Sequence, residues 1–571
     1  MSPVVAEHKS LSQDVLQPKP ESDNGTISRR MWSSSLIGAL PSFLFGYCMA
    51  ALNTVLATGD SSNPASCFNG KDVTCPRGSA LRDLDLPTGL QEVATSLLIA
   101  GAWLGSMIVS RPSDALGRRK TLLLNNVLFI VGGTFCFMAT RSSELLIGRF
   151  ISGVGVGCGS GVVPVLLSEI SSRHNRGAVG SLHQLMINLG ILCSGLLGYA
   201  LVRNVDHGWR YVQGFIAAPA IAQLALAAFI PESPRWLVKH GRIAEAKALL
   251  RALHGVDVGG EREAEIEREL EGMQECKYDE QKGSTSWGEL WAHRRPVIVG
   301  TILMLLQAGT GINTVVFYST TIFELAGVDG EVLATVAVGL SLVVMTSVSG
   351  LLVDKAGRRS LMVIGTVTMA VALGFLSLTL FALNSTPHVQ GWLAVCATMV
   401  FIAGFSLGMG AVTWIVLAEI VPSRIRARAF SIFTGVNWAS NLFIGLFTLT
   451  AIDKMGKWLL PGSTESETLD DGDVTKEQRK AGVAALYLVF AVLCVVAVAF
   501  VYLFVRETMQ KSLEELEDKI RRGDKLGDAD LMRHQLEDPA GLSEAGNALL
   551  AEDHRSREEG GNLDEVRRVA I

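Results

Sequence analysis

Gln184, Gln307, Asn313, Trp414 and Asn437 stand in stretches of the chain that are otherwise almost wholly apolar. An amide both donates and accepts hydrogen bonds, and an indole adds a flat apolar face with one donor. Together they suit a neutral ring of hydroxyls with small apolar faces, for which fixed charge has no use. Gln307 and Asn313 are six positions apart, about 1.7 helical turns. They share a face only if the helix breaks between them, and Gly309, Thr310 and Gly311 make such a break easy. A lone amide in a membrane helix is more often glue between helices, worth about 0.6 kcal/mol. Asn125, Asn126 and Asn188 are read that way, and Asn441 stays open between the two roles. Trp438 is read as packing or a gate, and Phe317 with Tyr318 as an external gate beyond the break.

Other chemistry is missing from the pattern. The nine cysteines form no zinc spacing, and no Gly-rich sequence ends in Gly-Lys-Ser/Thr. No nucleophile–base pair or metal-ligand cluster stands out, so neither enzyme activity, a metal nor a cofactor is expected. The net charge of −5 excludes a basic nucleic-acid surface.

The elements that must position these residues are apolar runs. Of the 571 residues 49% are hydrophobic and only 18% charged, against roughly 25% charged in soluble proteins. Runs long enough for a bilayer begin near Met31, Val93, Leu122, Leu145, Gly180, Tyr211, Val297, Val332, Leu361, Trp392, Ala429 and Ala481. They predict about twelve membrane-spanning helices, an all-α polytopic fold. Residues 1–28 read as a disordered tail without a cleavable leader, 29–231 as the first set of helices and 232–294 as a cytoplasmic helical linker. Residues 295–511 read as the second set and 512–571 as a charged tail. Basic residues such as Arg29, Arg118, Lys120, Arg173, Arg358 and Arg428 fall on one side, which places both termini in the cytoplasm. Cys67 and Cys75 share the long external loop after the first helix and could pair as a disulfide. Asn384-Ser385-Thr386 is a glycosylation sequon in a short loop before Pro387, expected to stay unused.

The two sets echo each other. Asp114, Gly117, Arg118 and Arg119 recur as Asp354, Gly357, Arg358 and Arg359, 240 positions on. Glu169-Ile170 with Arg176 recurs as Glu419-Ile420 with Arg426, 250 positions on. Parallel repeats of this kind place a binding site near the bilayer midplane, at their junction. Glu169, Glu232 and Glu419 are expected to pair with Arg176, Arg235, Arg426 or neighbours such as Arg118 and Arg358. Such pairs would hold the cytoplasmic side closed and part when it opens.

An ordered series of motifs gives these observations a family. Phe45-Gly46-Tyr47, the two Gly-Arg-Arg loops, Gly148-Arg149-Phe150, His183-Gln184-Leu185 and Pro231-Glu232-Ser233-Pro234-Arg235-Trp236 come first. Gln307, Gly311-Ile312-Asn313, Phe317-Tyr318-Ser319, Trp414, Ala418-Glu419 and Asn437-Trp438 follow. Over residues 35–510 the chain resembles the sugar porter family of the major facilitator superfamily, most of all its facilitative hexose carriers. The resemblance implies twelve helices in two six-helix bundles, a monosaccharide substrate, and sugar contact by Gln184, Gln307, Asn313, Trp414 and Asn437. It also implies a monomeric functional unit in the plasma membrane. Three positions depart from the pattern: Ala308 where relatives have a second Gln, Ser341-Leu342 where they often have an Asn, and Ser406 near the usual acidic residue of the tenth helix. These departures predict a looser site and a broad hexose range, while Trp414 favours glucose.

The sequence also bears on energy coupling. No Asp or Glu lies deep in the apolar runs, and Cys48 occupies the place where proton-linked sugar porters carry an Asp. Arg149, left without that carboxylate, is expected to use backbone carbonyls. His183 is read as a structural hydrogen-bonder. The expectation is uniport. The rivals are a proton-coupled sugar or inositol carrier and a transporter-like sugar sensor.

Overall fold

The computed structural model describes residues 28–56, 75–171, 176–255, 263–282, 290–291, 293–316, 331–382, 387–421, 425–461, 476–505 and 507. Phe317, Tyr318, Cys67, the Asn384 sequon and the side chains of Arg176 and Arg426 lie outside the described residues.

The apolar runs form helices, numbered here α1 to α12. α1 is Arg29–Gly38 with Leu40–Val55, α2 is Thr88–Ile108 with Ser110–Leu116, and α3 is Arg118–Met138. α4 is Ser142–Ile170, α5 Arg176–Asn204, and α6 Gly208–Gly214 with Ala217–Ala225. α7 is Arg294–Gly309, α8 Glu331–Ala356, and α9 Arg358–Ala382. α10 is Pro387–Phe405 continued by Ala411–Ile420, α11 Arg426–Leu459, and α12 Lys476–Phe504.

Among the described residues ten helices are long and apolar enough to cross a bilayer, and the bent α2 brings the number to eleven. The shortfall from twelve is α6. Tyr47 Oη donates to the Val212 carbonyl (2.7 Å), and Ile216 N turns to the nearer Gln213 carbonyl (3.4 Å). The ladder is interrupted between Gly214 and Ala217, and neither piece reaches the roughly 20 residues of a span.

The exterior is apolar. Leu124, Val371, Leu378 and Val495 are 57–66% exposed, whereas Arg149, Asn126, Gln213 and Thr366 are buried. Lipid, not water, matches such a surface. Inside, one core gathers α7 to α12 around Leu303, Met369, Phe401, Phe433 and Tyr487. A second gathers residues of the first six helices around Leu52, Leu98, Phe129 and Trp209. The halves meet along two seams. On α2 and α11, Met107 faces Gly435 and Ile99 faces Gly445; on α5 and α8, Leu192 faces Gly339 and Ser181 faces Gly350.

Between the halves come three short helices, Pro234–Lys239, Ile243–His254 and Glu263–Lys282. Their apolar faces share a small core of Trp236, Leu237, Leu250, Ile266 and Leu270. They are fastened to the first half: Trp236 Nε1 donates to the Asp114 carbonyl (2.9 Å), and Ser28 Oγ donates to the Leu253 carbonyl. Ser28 also caps α1 by accepting from Met31 N (3.1 Å).

Candidate binding site between the halves

α7 stops at Gly309. Thr310 N and Gly311 N reach back only three residues, to Gln307 and Ala308, and Gly311 adopts φ +83°. A side chain there would also strike the Phe490 ring, since a Cβ would lie 2.4 Å from it. The helix resumes over residues 312–316, and the break brings Gln307 and Asn313 to one cavity. On α10 the turn Ser406–Gly410 is a wide π turn, which loosens the regular carbonyl ladder. Its Met409 carbonyl accepts from Gln307 Nε2 (2.6 Å).

Gln184, Gln307, Asn313, Trp414 and Asn437 all line this cavity, whose empty space is about 650 Å³ counting its open side. The structure adds Asn188, Asn441, Phe45 and Phe405 to them. No charged side chain is among the described lining residues. The amides of one wall form a relay. Asn313 Nδ2 donates to Asn441 Oδ1, Asn441 Nδ2 to Asn437 Oδ1 (3.1 Å), and Asn437 Nδ2 to Gln307 Oε1 (3.1 Å). The chain of donors ends on Met409. On the opposite wall Gln184 Nε2 donates to Asn188 Oδ1 (3.1 Å), and Asn188 Nδ2 donates to the Leu342 carbonyl (3.2 Å) and to Thr346 Oγ1 (2.7 Å) of α8.

Trp414 meets the His183 ring edge-on, 5.4 Å between centroids, and His183 Nδ1 is held by Ser42 Oγ (2.7 Å). Trp438 is 1% exposed, packs on Phe45 (5.0 Å) and donates through Nε1 to Ser160 Oγ (3.1 Å). It thus pins α11 to α4 of the other half. Ser341 turns away to Met399, leaving apolar Leu342 on the cavity wall. Arg149 donates to the carbonyls of Cys48 (2.9 Å) and Ala94 (3.3 Å).

At the end that carries the Gly-Arg-Arg loops, Arg118 grips Glu169 through Nε and Nη2 (3.1 and 3.2 Å) and also reaches Asp114 (3.3 Å). Arg358 repeats the pairing with Glu419 (3.5 Å). Each of these pairs lies within one half. Glu232 accepts from the backbone N–H groups of Arg118 (2.7 Å) and Arg119 (3.3 Å). Glu507, which the sequence reading did not single out, does the same for Arg358 (2.9 Å) and Arg359 (3.0 Å). Gly117 and Gly357 turn with φ +93° and +81°, leaving room for the two carboxylates. The signal that could have found Glu507 is its place just beyond α12, matching Glu232 just beyond α6. Cys75 is disulfide-bonded. Among the described residues no cluster of three metal-ligating side chains occurs.

Two cored helical halves in an apolar exterior, with a cavity between them whose described lining is rich in amides and uncharged, define a polytopic membrane protein of the major facilitator fold. The solved structure of the proton:xylose symporter XylE bound to 6-bromo-6-deoxy-D-glucose superposes with a TM-score of 0.70 at 25% identity, covering 86% of this chain and 98% of that one. The family profile "Sugar (and other) transporter" matches residues 34–519, and the chain belongs to that family. It is 34% identical to plastidic glucose transporter 4 of Arabidopsis thaliana, over 85% of this chain and 80% of the relative. It is 30% identical to human solute carrier family 2, facilitated glucose transporter member 4, over 89% and 93%.

Proposed function

We propose that this sugar transporter carries hexoses, glucose first, by facilitated diffusion. The observation that carries the reading is the cavity itself: six amides and an indole converge at the junction of the halves, with no charged side chain among the described lining residues. Gln184, Gln307, Asn313, Trp414 and Asn437 contact the sugar. The relay is already bonded within the protein, so sugar hydroxyls exchange for existing bonds rather than add to them. Binding is then weak, about millimolar or −4 kcal/mol, which suits fast release.

Residues 29–231 and 295–511 rock about the site as the two halves. The Arg118–Glu169 and Arg358–Glu419 pairs stiffen each half, while Arg176, Arg235 and Arg426 contribute the contacts that part at the basic end. The basic loops and both termini face the cytoplasm, in the plasma membrane, and one chain is the working unit. Phe317 and Tyr318 close the opposite side. Uniport is supported by the thiol at Cys48, the uncharged cavity wall and the carbonyl partners of Arg149. The apolar side chain of Leu342 on the cavity wall, and Ala308 in place of a second amide, support a hexose range beyond glucose.

The test is uptake of labelled hexoses by purified protein in liposomes. Glucose should equilibrate without accumulating, and a protonophore should leave the rate unchanged. Accumulation that the protonophore abolishes would replace uniport with proton coupling; folded protein that moves no monosaccharide would remove the transport reading.

A further inference from the structure

Asn188 follows Gln184 by one turn of α5 and is 1% exposed. Its three hydrogen bonds have a fixed direction. The Leu342 carbonyl can only accept, so the Asn188 NH₂ must face it (3.2 Å), with a second proton on Thr346 Oγ1 (2.7 Å). Turning the amide over would set Oδ1 against that carbonyl in a buried place, two acceptors with no proton between them. The Asn188 Oδ1 therefore faces Gln184, and Gln184 must answer with its own NH₂ (3.1 Å). This leaves Gln184 Oε1 without a protein partner among the described residues, on a side chain that lines the cavity. α8 belongs to the other half, so the direction of the Gln184 amide is imposed across the seam between the halves.

Resting on the hexose-carrier reading above, we infer that Asn188 is a positioning residue. It fixes the polarity of Gln184 so that this amide offers the sugar an acceptor, Oε1, for one hydroxyl proton. Asn188 itself, with both protons committed to α8, serves the sugar only through Gln184. Specificity at that hydroxyl is thus for a donor.

The experiment uses the full chain in liposomes and measures inhibition of labelled glucose uptake by single-position deoxy- and fluorodeoxyglucoses. Fluorine can accept weakly but cannot donate. At the hydroxyl that Gln184 receives, both analogues should inhibit the wild type about tenfold less well than glucose, the loss of roughly one hydrogen bond. In Asn188→Leu the Gln184 amide is free to turn its NH₂ to the sugar. The fluoro analogue at that position should then recover about fivefold relative to the deoxy analogue. Asn188→Ala, smaller and easier to accommodate, carries the same expectation if the leucine variant does not fold. Thr346→Val keeps the Leu342 contact and should keep the wild-type pattern. A purely structural role would change uptake without changing the fluoro-to-deoxy ratio. Wild-type uptake with an unchanged ratio at every position in the Asn188 variants overturns this inference alone. Absence of hexose uptake by the wild type removes the transport reading and the inference with it.

Discussion

Asn437 Nδ2 and Gln307 Oε1 are 3.1 Å apart, and that bond ties α11 to α7 just where α7 breaks. Gln307 also donates to the Met409 carbonyl on α10, so one side chain joins three helices of the same half around the cavity. Gln307→Ala deletes both bonds and takes the acceptor from Asn437 Nδ2. Glucose uptake should fall at least about tenfold at subsaturating sugar, with folded protein still recovered by size exclusion. Unchanged uptake would take Gln307 out of the site.

Glu232 and Glu507 cap equivalent loops in the two halves. Glu232→Gln and Glu507→Gln each weaken a pair of charge-assisted bonds to backbone N–H groups, worth about 1–3 kcal/mol. Both variants should melt at lower temperature in detergent. The losses should add in the double variant, since the two carboxylates serve separate halves. A drop for one and none for the other would break the equivalence.

Cys48 decides how Arg149 is satisfied. With a thiol side chain at that position the guanidinium takes the Cys48 and Ala94 carbonyls, and its Nη2 has no partner among the described residues. Cys48→Asp would give it a carboxylate inside the membrane. Uptake of the wild type should be flat between about pH 6 and 8, since no described lining residue carries a titratable side chain. The variant should gain a pH-dependent rate, and a flat profile in the variant would show that a carboxylate there does not suffice for coupling.

The linker helices carry a pH dependence of their own. Glu263 is held well below its ordinary 4.5, at about 2, first by the Arg251 hydrogen bond and then by Lys247. A lowered value in the fold means the contact stabilises fully above about 4.5 and is lost as pH falls through about 2. Hydrogen exchange in Glu263–Lys282, corrected for intrinsic rates, should speed up across that window in the wild type. In Glu263→Gln the step should vanish; a step that persists would assign it to another carboxylate.

Much of the fold was legible because a bilayer imposes a simple rule: apolar runs of sufficient length become helices, whatever lies beside them. The break in α7 was legible for the same reason, since Gly309, Thr310 and Gly311 announce it. The break in α6 was not: beside it the Val212 carbonyl accepts from Tyr47 of α1, a partner 165 positions away that no local pattern announces. Asn188 shows the limit more sharply. Read alone it was helix glue, and it does bind α8, but it also lines the cavity.

The sequence by itself determined the apolar helices, the doubled loop motifs and the uncharged set of amides with Trp414, because these rest on residue type and spacing. Only the tertiary structure decided which amide faces which, that Trp438 anchors to Ser160 across the halves, and that Glu507 mirrors Glu232. Hydrogen-bond direction is a property of pairs, and the partners lie on different helices, so no spacing along the chain can specify it.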